Sequence, residues 1–177
     1  MINNKQQRYI ALTGCRYSGK KTVCKILKHL GIAVFDADEV LKYYLSDKKY
    51  NISMYTSNER LYYVIKNIIP KIIKNYVDWH RKMKVKYSVF KFSLIFEFKI
   101  QKFFYKVISM NISDDEQRNN GANTYILNNQ LLKTFYKLES DFIINNDKRS
   151  NLSNQIFKIL KDIKNETNFT NNWEVVV

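Results

Sequence analysis

Two glycines and one lysine near the start of the chain have the residue types and the spacing of a phosphate-binding loop. Gly14 is followed by four residues, then by Gly19 and Lys20, in the pattern G-x-x-x-x-G-K. Glycines let backbone N–H groups approach a phosphate chain closely, and the lysine ammonium reaches its β- and γ-phosphates. The residues predicted to bind the phosphates are Gly14, Cys15, Arg16, Tyr17, Ser18, Gly19, Lys20, Lys21 and Thr22.

The residue after Lys20 departs from this pattern. Loops of this kind have Ser or Thr there, and its hydroxyl binds Mg²⁺, whereas this chain has Lys21. Thr22 follows, but one residue turns a helix by about 100°, so Thr22 would not simply take over the metal. Thr22 and Asp36 are the candidate metal ligands, and the sequence leaves Mg²⁺ binding open.

Two carboxylates follow the second apolar run of the chain. Residues 32–35 have the composition of a short buried strand, and Asp36 and Asp38 come next. Open α/β sheets bind ligands beyond the carboxyl ends of parallel strands, so we expect these carboxylates near the γ-phosphate of a nucleotide. Either aspartate, with Asp38 the better candidate, could instead cap the helix that follows, and one could cap while the other acts.

Five short apolar runs predict β-strands that would position these residues. The runs alternate with segments of helical spacing, and the first run leads into the glycine-rich loop. This order predicts an α/β, three-layer P-loop NTPase fold with a five-stranded, mainly parallel sheet. The predicted strands are 9–12, 32–35, 87–96, 105–112 and 141–144, with Glu97 directly after the third.

The longest segment of helical spacing covers residues 58–84. Pro70 lies inside it and is expected to break the helix in two or to kink it near Ile69, because proline lacks the N–H that an interior helical position needs. The helices predicted after it are 127–138 and 150–163, the second with Ser150 or Asn151 as its cap.

The composition indicates one folded domain. The 177 residues are 45% hydrophobic and include only 4 Gly and 1 Pro, so one core and no flexible linker are expected. Residues 1–165 are interpreted as this domain, and 166–177 as a loosely held tail. The N-terminal residues lack the apolar core of a signal peptide, and no apolar run approaches the ~18 residues of a membrane span. We therefore expect a soluble, cytoplasmic protein.

The net charge of +14 would attract polyanions. The lysines, however, are spread along the whole chain together with abundant Asn, Ile and Tyr, which is typical of an AT-rich coding bias. Nucleic-acid binding is therefore disfavoured. Cys15 and Cys24 fit neither a disulfide framework nor a zinc site, and His29 and His80 are isolated in the sequence. Nothing in the sequence indicates an oligomeric state.

Five segments together resemble the motifs of one enzyme family. Residues 11–38 contain A-L-T-G-C-R-Y-S-G-K-K-T and end in D-A-D; 68–70 are I-I-P, 93–97 are S-L-I-F-E, 117–118 are Q-R, and Gln130 precedes D-F-I-I-N-N at 141–146. In order and spacing these segments resemble the dephospho-coenzyme A kinase family, whose motifs are A-L-T-G-G-I-G-S-G-K-S-T with D-A-D, I-x-H-P, (P/A)-L-L-F-E, Q-x-x-R and Q-x10-A-D-x-V-I-x-N.

This resemblance implies that ATP phosphorylates the ribose 3′-hydroxyl of dephospho-coenzyme A, the last step of coenzyme A synthesis. Lys20, Asp38 and Asp36 would be the catalytic residues, with Asp38 beside the acceptor hydroxyl as base or orienting group. Residues 58–84 would form a helical acceptor-side segment. By the same carry-over, Gly14, Ser18, Gly19 and Lys20 would cradle the ATP phosphates, Asp38, Glu97 and Arg118 would bind the acceptor, and Asn146 would lie near the adenine.

Four departures from the family pattern bear on activity. Lys21 replaces the metal-binding Ser, Tyr17 replaces a small loop glycine, and Ile69 replaces the histidine of I-x-H-P. The lid, residues 113–130, is reduced and has no arginine after Arg118, although arginines that clamp phosphates contribute strongly to phosphoryl transfer. Two alternatives therefore stay open: a catalytically impaired nucleotide-binding homologue, and a nucleoside or nucleotide kinase of the same superfold.

Overall fold

A parallel β-sheet lies at the centre of the structure, which is a computed structural model and describes residues 8–46, 58–123, 133–147 and 150–166. The strands in these residues are β1 (Arg8–Gly14), β2 (Ala33–Asp36), β3 (Tyr87–Lys91), β4 (Lys106–Asn111) and β5 (Phe142–Asn145). Their order across the sheet is β2-β3-β1-β4-β5, and every neighbouring pair is parallel.

Helices cover both faces of this sheet. Within the described ranges they are α1 (Lys20–His29), α2 (Ala37–Ser46), α3 (Asn58–Met83), α4 (Asp114–Asn119), α5 (Lys133–Glu139) and α6 (Leu152–Asn165). One apolar cluster joins α1 and α6 to the sheet, and a second joins α2, α3 and α5 to its other face. These three layers confirm the predicted α/β fold with its parallel sheet.

The central strand β1 is apolar on both faces. Ile10 and Leu12 belong to the cluster with α1 and α6, whereas Ala11 belongs to the cluster with α2 and α3. This alternation follows from the period of two in a strand. The strand order also places β2 and β3 on one side of β1 and β4 and β5 on the other. The carboxyl end of β1, at Gly14, is therefore the switch point where open α/β sheets bind ligands.

The strand predicted at 87–96 is wrong in its second half, because β3 ends at Lys91. Phe92 N still donates to Leu12 O at 3.0 Å, but residues 93–99 form a series of turns. Ile95 and Phe96 stay buried in the core cluster, so the apolar run continues without a strand. A short apolar run alone does not distinguish a buried strand from another buried segment. Glu97 consequently lies in the turns and not at the end of the strand.

The helix predicted at 58–84 is one helix, α3, and it runs through Pro70 without a break into two. Proline at this position removes the bond to the carbonyl of Lys66 and disfavours the helix by about 3 kcal/mol. Ile68, Ile69 and Ile72 are all buried on the sheet side. Burial of this apolar face on both sides of the proline offsets the lost bond.

The structure describes all of the helix predicted at 150–163 and only part of the helix predicted at 127–138. Asn151, one of the two predicted caps, accepts a hydrogen bond from Asn154 N at 3.0 Å and begins α6. Of the helix predicted at 127–138, residues 127–132 lie outside the described residues, as do Gln130 and the tail after Glu166. No helix in the described part of the chain is long and apolar enough to cross a membrane.

Candidate active site

The loop between β1 and α1 has the backbone shape that its glycines allow. Gly14 and Gly19 have φ of 135° and 93°, a region that residues with a side chain rarely adopt. A Cβ on Gly14 would lie 2.8 Å from Met110 Cβ, and one on Gly19 would overlap the Asn146 amide nitrogen. Both glycines are therefore required by close contacts as well as by conformation.

Lys20, the first residue of α1, turns its side chain back into this loop. Its Nζ donates to Gly14 O at 2.6 Å and to Cys15 O at 2.7 Å. Burial lowers the pKa of Lys20 to about 8, although the Asp38 carboxylate opposes the shift. Ser18 Oγ is also buried and has no hydrogen-bond partner among the described residues. The loop thus encloses a cation and an unpaired hydroxyl, both of which are able to bind phosphate oxygens.

Three side-chain amides hold the outer backbone of the loop. They come from α4, from the residue after α4 and from the residue after β5, and they bind three consecutive carbonyl oxygens. The bonds are Gln117 Nε2 to Arg16 O (2.6 Å), Asn120 Nδ2 to Tyr17 O (3.1 Å) and Asn146 Nδ2 to Ser18 O (3.0 Å). We call these residues the amide clamp. The clamp therefore ties the outer backbone of the loop to α4 and to the end of β5.

Tyr17, which replaces a small loop glycine, adopts the conformation that a glycine would have. Its φ is 61°, and its side chain is 44% exposed. The ring lies against Gly121, where an added Cβ would be 3.3 Å from a ring carbon. The tyrosine therefore packs on the turn after α4, at the base of the predicted lid.

Asp36 is the last residue of β2 and Asp38 is the second residue of α2, and the carboxylates of both bind one lysine. Lys91, the last residue of β3, places its Nζ 2.9 and 2.8 Å from the two oxygens of Asp36 and 3.3 Å from Asp38 Oδ2. Asp38 also accepts hydrogen bonds from the backbone N and the hydroxyl of Ser93, both at 2.9 Å. Burial alone would lower the pKa of Lys91, but the bond to Asp36 and the two carboxylate charges raise it.

The helix cap is Asp36, so the preference for Asp38 in that role is wrong. Asp36 Oδ1 accepts from Glu39 N at 3.2 Å. Because α2 begins at Ala37, Asp36 occupies the N-cap position and Glu39 is the third residue of the helix, which a capping oxygen reaches. Asp38 is left to bind Ser93 and Lys91.

The residues present do not fit a Mg²⁺ ion held by the protein. Lys21 and Thr22 are both exposed on α1, and the oxygens of Asp36 and Asp38 are bound by Lys91, Ser93 and the backbone. In the described part of the chain, no group of three or more His, Cys, Asp or Glu side chains could hold a metal ion. Of the two candidate ligands, Thr22 is exposed on α1, and the Asp36 oxygens already accept from Lys91 Nζ and Glu39 N.

Glu97 reaches the same region from the turns after β3. Its Oε1 accepts from the Tyr136 hydroxyl at 3.0 Å, while its buried Oε2 has no partner among the described residues. Burial raises the pKa of Glu97, and the charges of Lys20 and Asp38 both act on it. Asp38, Lys20 and Glu97 therefore lie within electrostatic range of one another.

Among the described residues, Arg118 makes no hydrogen bond or ion pair with the loop. Its exposed side chain pairs with Asp115 Oδ1 of the same helix at 3.3 Å, whereas its neighbour Gln117 belongs to the amide clamp. The site residues that the sequence reasoning missed are Lys91, Ser93, Gln117, Asn120 and Tyr136. Lys91 had a visible signal, since it is a charged residue inside the apolar run S-V-F-K-F.

A parallel sheet with this loop after β1 and an acidic pair after β2 defines a P-loop kinase fold. Dephospho-CoA kinase of Fusobacterium nucleatum subsp. nucleatum is 32% identical over 131 residues, which are 60% of this chain and 67% of that protein. The chain belongs to the dephospho-CoA kinase family.

Solved structures share the fold. TT1252 from Thermus thermophilus has a TM-score of 0.75 and 15% identity, and the match covers 91% of this chain and 98% of that chain. Dephospho-CoA kinase from Campylobacter jejuni has a TM-score of 0.62 and 16% identity, with 90% and 98% covered. At these identities the likeness supports the fold alone. No family model matches the sequence.

Proposed function

We propose that this protein is a kinase that transfers the γ-phosphoryl group of ATP to the ribose 3′-hydroxyl of dephospho-coenzyme A, in the cytoplasm, as the last step of coenzyme A synthesis. One observation carries the proposal: the Lys20 ammonium is buried inside the loop after β1, within electrostatic range of Asp38. The similarity to a dephospho-CoA kinase supports the choice of acceptor.

In this proposal the triphosphate of ATP enters the loop and replaces the carbonyl partners of Lys20. The ammonium then binds the β- and γ-phosphates, and backbone N–H groups of the loop point at the phosphate oxygens together with the positive end of α1. The unpaired Ser18 hydroxyl donates to one of these oxygens. Asn146, which holds Ser18 O, lies at the adenine side of the loop.

The acceptor approaches from the side of the acidic pair. Two hydrogen bonds from Ser93 fix the orientation of Asp38, which orients the 3′-hydroxyl or accepts its proton. Glu97 and Arg118 contact the acceptor, α3 belongs to the acceptor-side segment, and the segment 113–130 acts as a reduced lid. Phosphoryl transfer asks the protein chiefly to align two anionic substrates and to neutralise charge. The contacts of Lys20 and Asp38 suit this task.

The test is a coupled kinase assay with ATP and dephospho-coenzyme A. We expect Lys20→Ala and Asp38→Asn each to lower kcat/KM by about a hundredfold or more, because each removes a group that acts on the transferring phosphoryl. The matched controls are Lys28→Ala and Glu39→Gln, which change exposed residues of α1 and α2 and should leave the rate within about twofold. Equal rates in the test and control variants would overturn the assignment.

A second candidate is a nucleotide-binding homologue with impaired catalysis. The binding of Lys91 to both carboxylates favours it, because the acidic pair is then less available to a substrate hydroxyl or a metal. This candidate predicts that ATP binds and that no phosphorylated product forms with any acceptor. A screen of nucleosides and nucleotides in the same assay also tests whether another acceptor is preferred.

A further inference from the structure

Lys91 is a buried charge that none of the sequence motifs assigns. It lies at the end of β3, in register with Asp36 of β2 and with Leu12 of β1. It is only 5% exposed, and lysines are almost never buried to this degree unless they are paired. Its position between two strands that carry site residues places its ammonium beside the acidic pair.

The ammonium contacts both carboxylates of the pair. Two carboxylates this close to one cation would otherwise repel each other, and the short bonds from Lys91 to Asp36 are charge-assisted. Lys91 and Asp38 both also act on the pKa of Lys20. Lys91 therefore lies within electrostatic range of Lys20 as well as in contact with the carboxylates.

Each of the four carboxylate oxygens of Asp36 and Asp38 has at least one donor. Asp36 Oδ1 accepts from Lys91 Nζ and Glu39 N, Asp36 Oδ2 from Lys91 Nζ, Asp38 Oδ1 from Ser93 N, and Asp38 Oδ2 from Ser93 Oγ with Lys91 Nζ at 3.3 Å. A divalent ion at the pair would have to displace these donors and lie beside an ammonium of the same sign.

We propose that Lys91 is the resident cation of the acidic pair, and that its ammonium takes the place that a divalent ion would need between Asp36 and Asp38. Nucleotide binding at the loop then requires no metal held by these carboxylates. Lys20 and Lys91 together supply positive charge on the protein side of the triphosphate. This inference concerns the site of the proposed function and rests on nucleotide binding there, but its first test does not.

The first test is a Mn²⁺ titration of the full chain without nucleotide, followed by electron paramagnetic resonance. We expect Lys91→Met to bind one Mn²⁺ ion per chain, and the wild-type protein to bind none at the pair at Mn²⁺ concentrations up to about ten times those that saturate the variant. The charge-conserving Lys91→Arg should stay metal-free, and adding Asp36→Asn to Lys91→Met should abolish the new site.

Wild-type Mn²⁺ binding that Asp36→Asn removes would overturn the proposal, as would a folded Lys91→Met that binds no Mn²⁺. Circular dichroism of Lys91→Met checks that the variant is folded. If it is not, a second measurement on the wild-type chain decides: we expect the ATP affinity in EDTA to stay within about threefold of that in Mg²⁺. A much weaker affinity in EDTA would refute the inference. If ATP binds in neither condition the proposed function fails, while the wild-type Mn²⁺ titration and its Asp36→Asn control still decide on Lys91.

Discussion

The side chain of Asn146 lies so close to Gly19 that a Cβ added to the glycine would overlap its amide nitrogen. The same amide donates to Ser18 O at 3.0 Å. We therefore expect Gly19→Ala to push Asn146 away and release this carbonyl, which should weaken ATP binding by about tenfold for one lost hydrogen bond and the associated strain. Calorimetric titration of ATP into the variant measures the change.

Gly31→Ala is the matched control for this substitution. Gly31 also has a positive φ, 74°, but an added Cβ would meet nothing within 4 Å. Gly31→Ala should lower the free energy of unfolding by about 1–2 kcal/mol because of backbone strain alone. Gly19→Ala should lower it by more, because the contact with Asn146 adds to the strain. Only Gly19→Ala should change the ATP affinity, and an equal loss of affinity in both variants would contradict a role for the contact with Asn146.

The loop and the acidic pair could be predicted because their signals are local. Gly14, Gly19 and Lys20 lie within one short segment, and Asp36 follows directly after an apolar run. The amide clamp could not be predicted, since the bond from Gln117 to Arg16 joins residues that are 101 positions apart. The same reason hid the role of Lys91, whose contact with Asp36 spans 55 positions.

The errors in the predicted elements have equally specific causes. Whether Asp36 or Asp38 caps α2 depends on the residue at which the helix begins, and helix ends are the part of a helix that sequence patterns define least well. The apolar residues up to Phe96 fit the pattern of a strand, so the sequence predicted a strand that is too long. The chain leaves β3 after Lys91, where Ser93 hydrogen bonds with Asp38. For Pro70, local conformational preference was outweighed by burial of the helix face.

Pro70→Ala tests the continuity of α3. Because Pro70 is exposed inside an unbroken helix, alanine restores the missing N–H and has a far better helix propensity. We expect the free energy of unfolding to rise by about 1–3 kcal/mol, measured by urea denaturation. The control Lys66→Ala changes another exposed residue of α3 and should stay within about 0.5 kcal/mol. A loss of stability in Pro70→Ala would indicate that the helix needs a break there.

His80 should make stability depend on pH. Its Nδ1 hydrogen bonds with Ser88 Oγ at 2.6 Å, its Nε2 is buried without a partner among the described residues, and burial lowers its pKa. The unfolded chain therefore binds a proton near pH 6.5 that the folded chain does not bind. As the pH falls below about 6.5, the free energy of unfolding should decrease by up to about 1.4 kcal/mol per pH unit.

Urea denaturation between pH 5 and 8, with each variant measured across that range, tests this dependence. In His80→Gln the slope attributable to this residue should disappear, whatever the absolute stability of the variant. His29 is the control because its side chain is exposed and its Nδ1 contacts Lys25 O of its own helix. His29→Gln should keep the wild-type slope, and a slope unchanged in His80→Gln would assign it to other groups.

The Tyr136 hydroxyl should set the pH at which the proposed kinase loses activity in acid. Burial raises the pKa of Glu97, and the hydrogen bond from Tyr136 opposes that shift. Tyr136→Phe removes the donor, so the pKa of Glu97 should rise further and the acidic limb of kcat/KM should move to higher pH. Tyr63→Phe alters an exposed tyrosine of α3 and should leave the limb in place. If the acidic limb of kcat/KM is unchanged in Tyr136→Phe, Glu97 does not need to be ionised for activity. Any contact of Glu97 with the acceptor would then be made by its neutral carboxyl group.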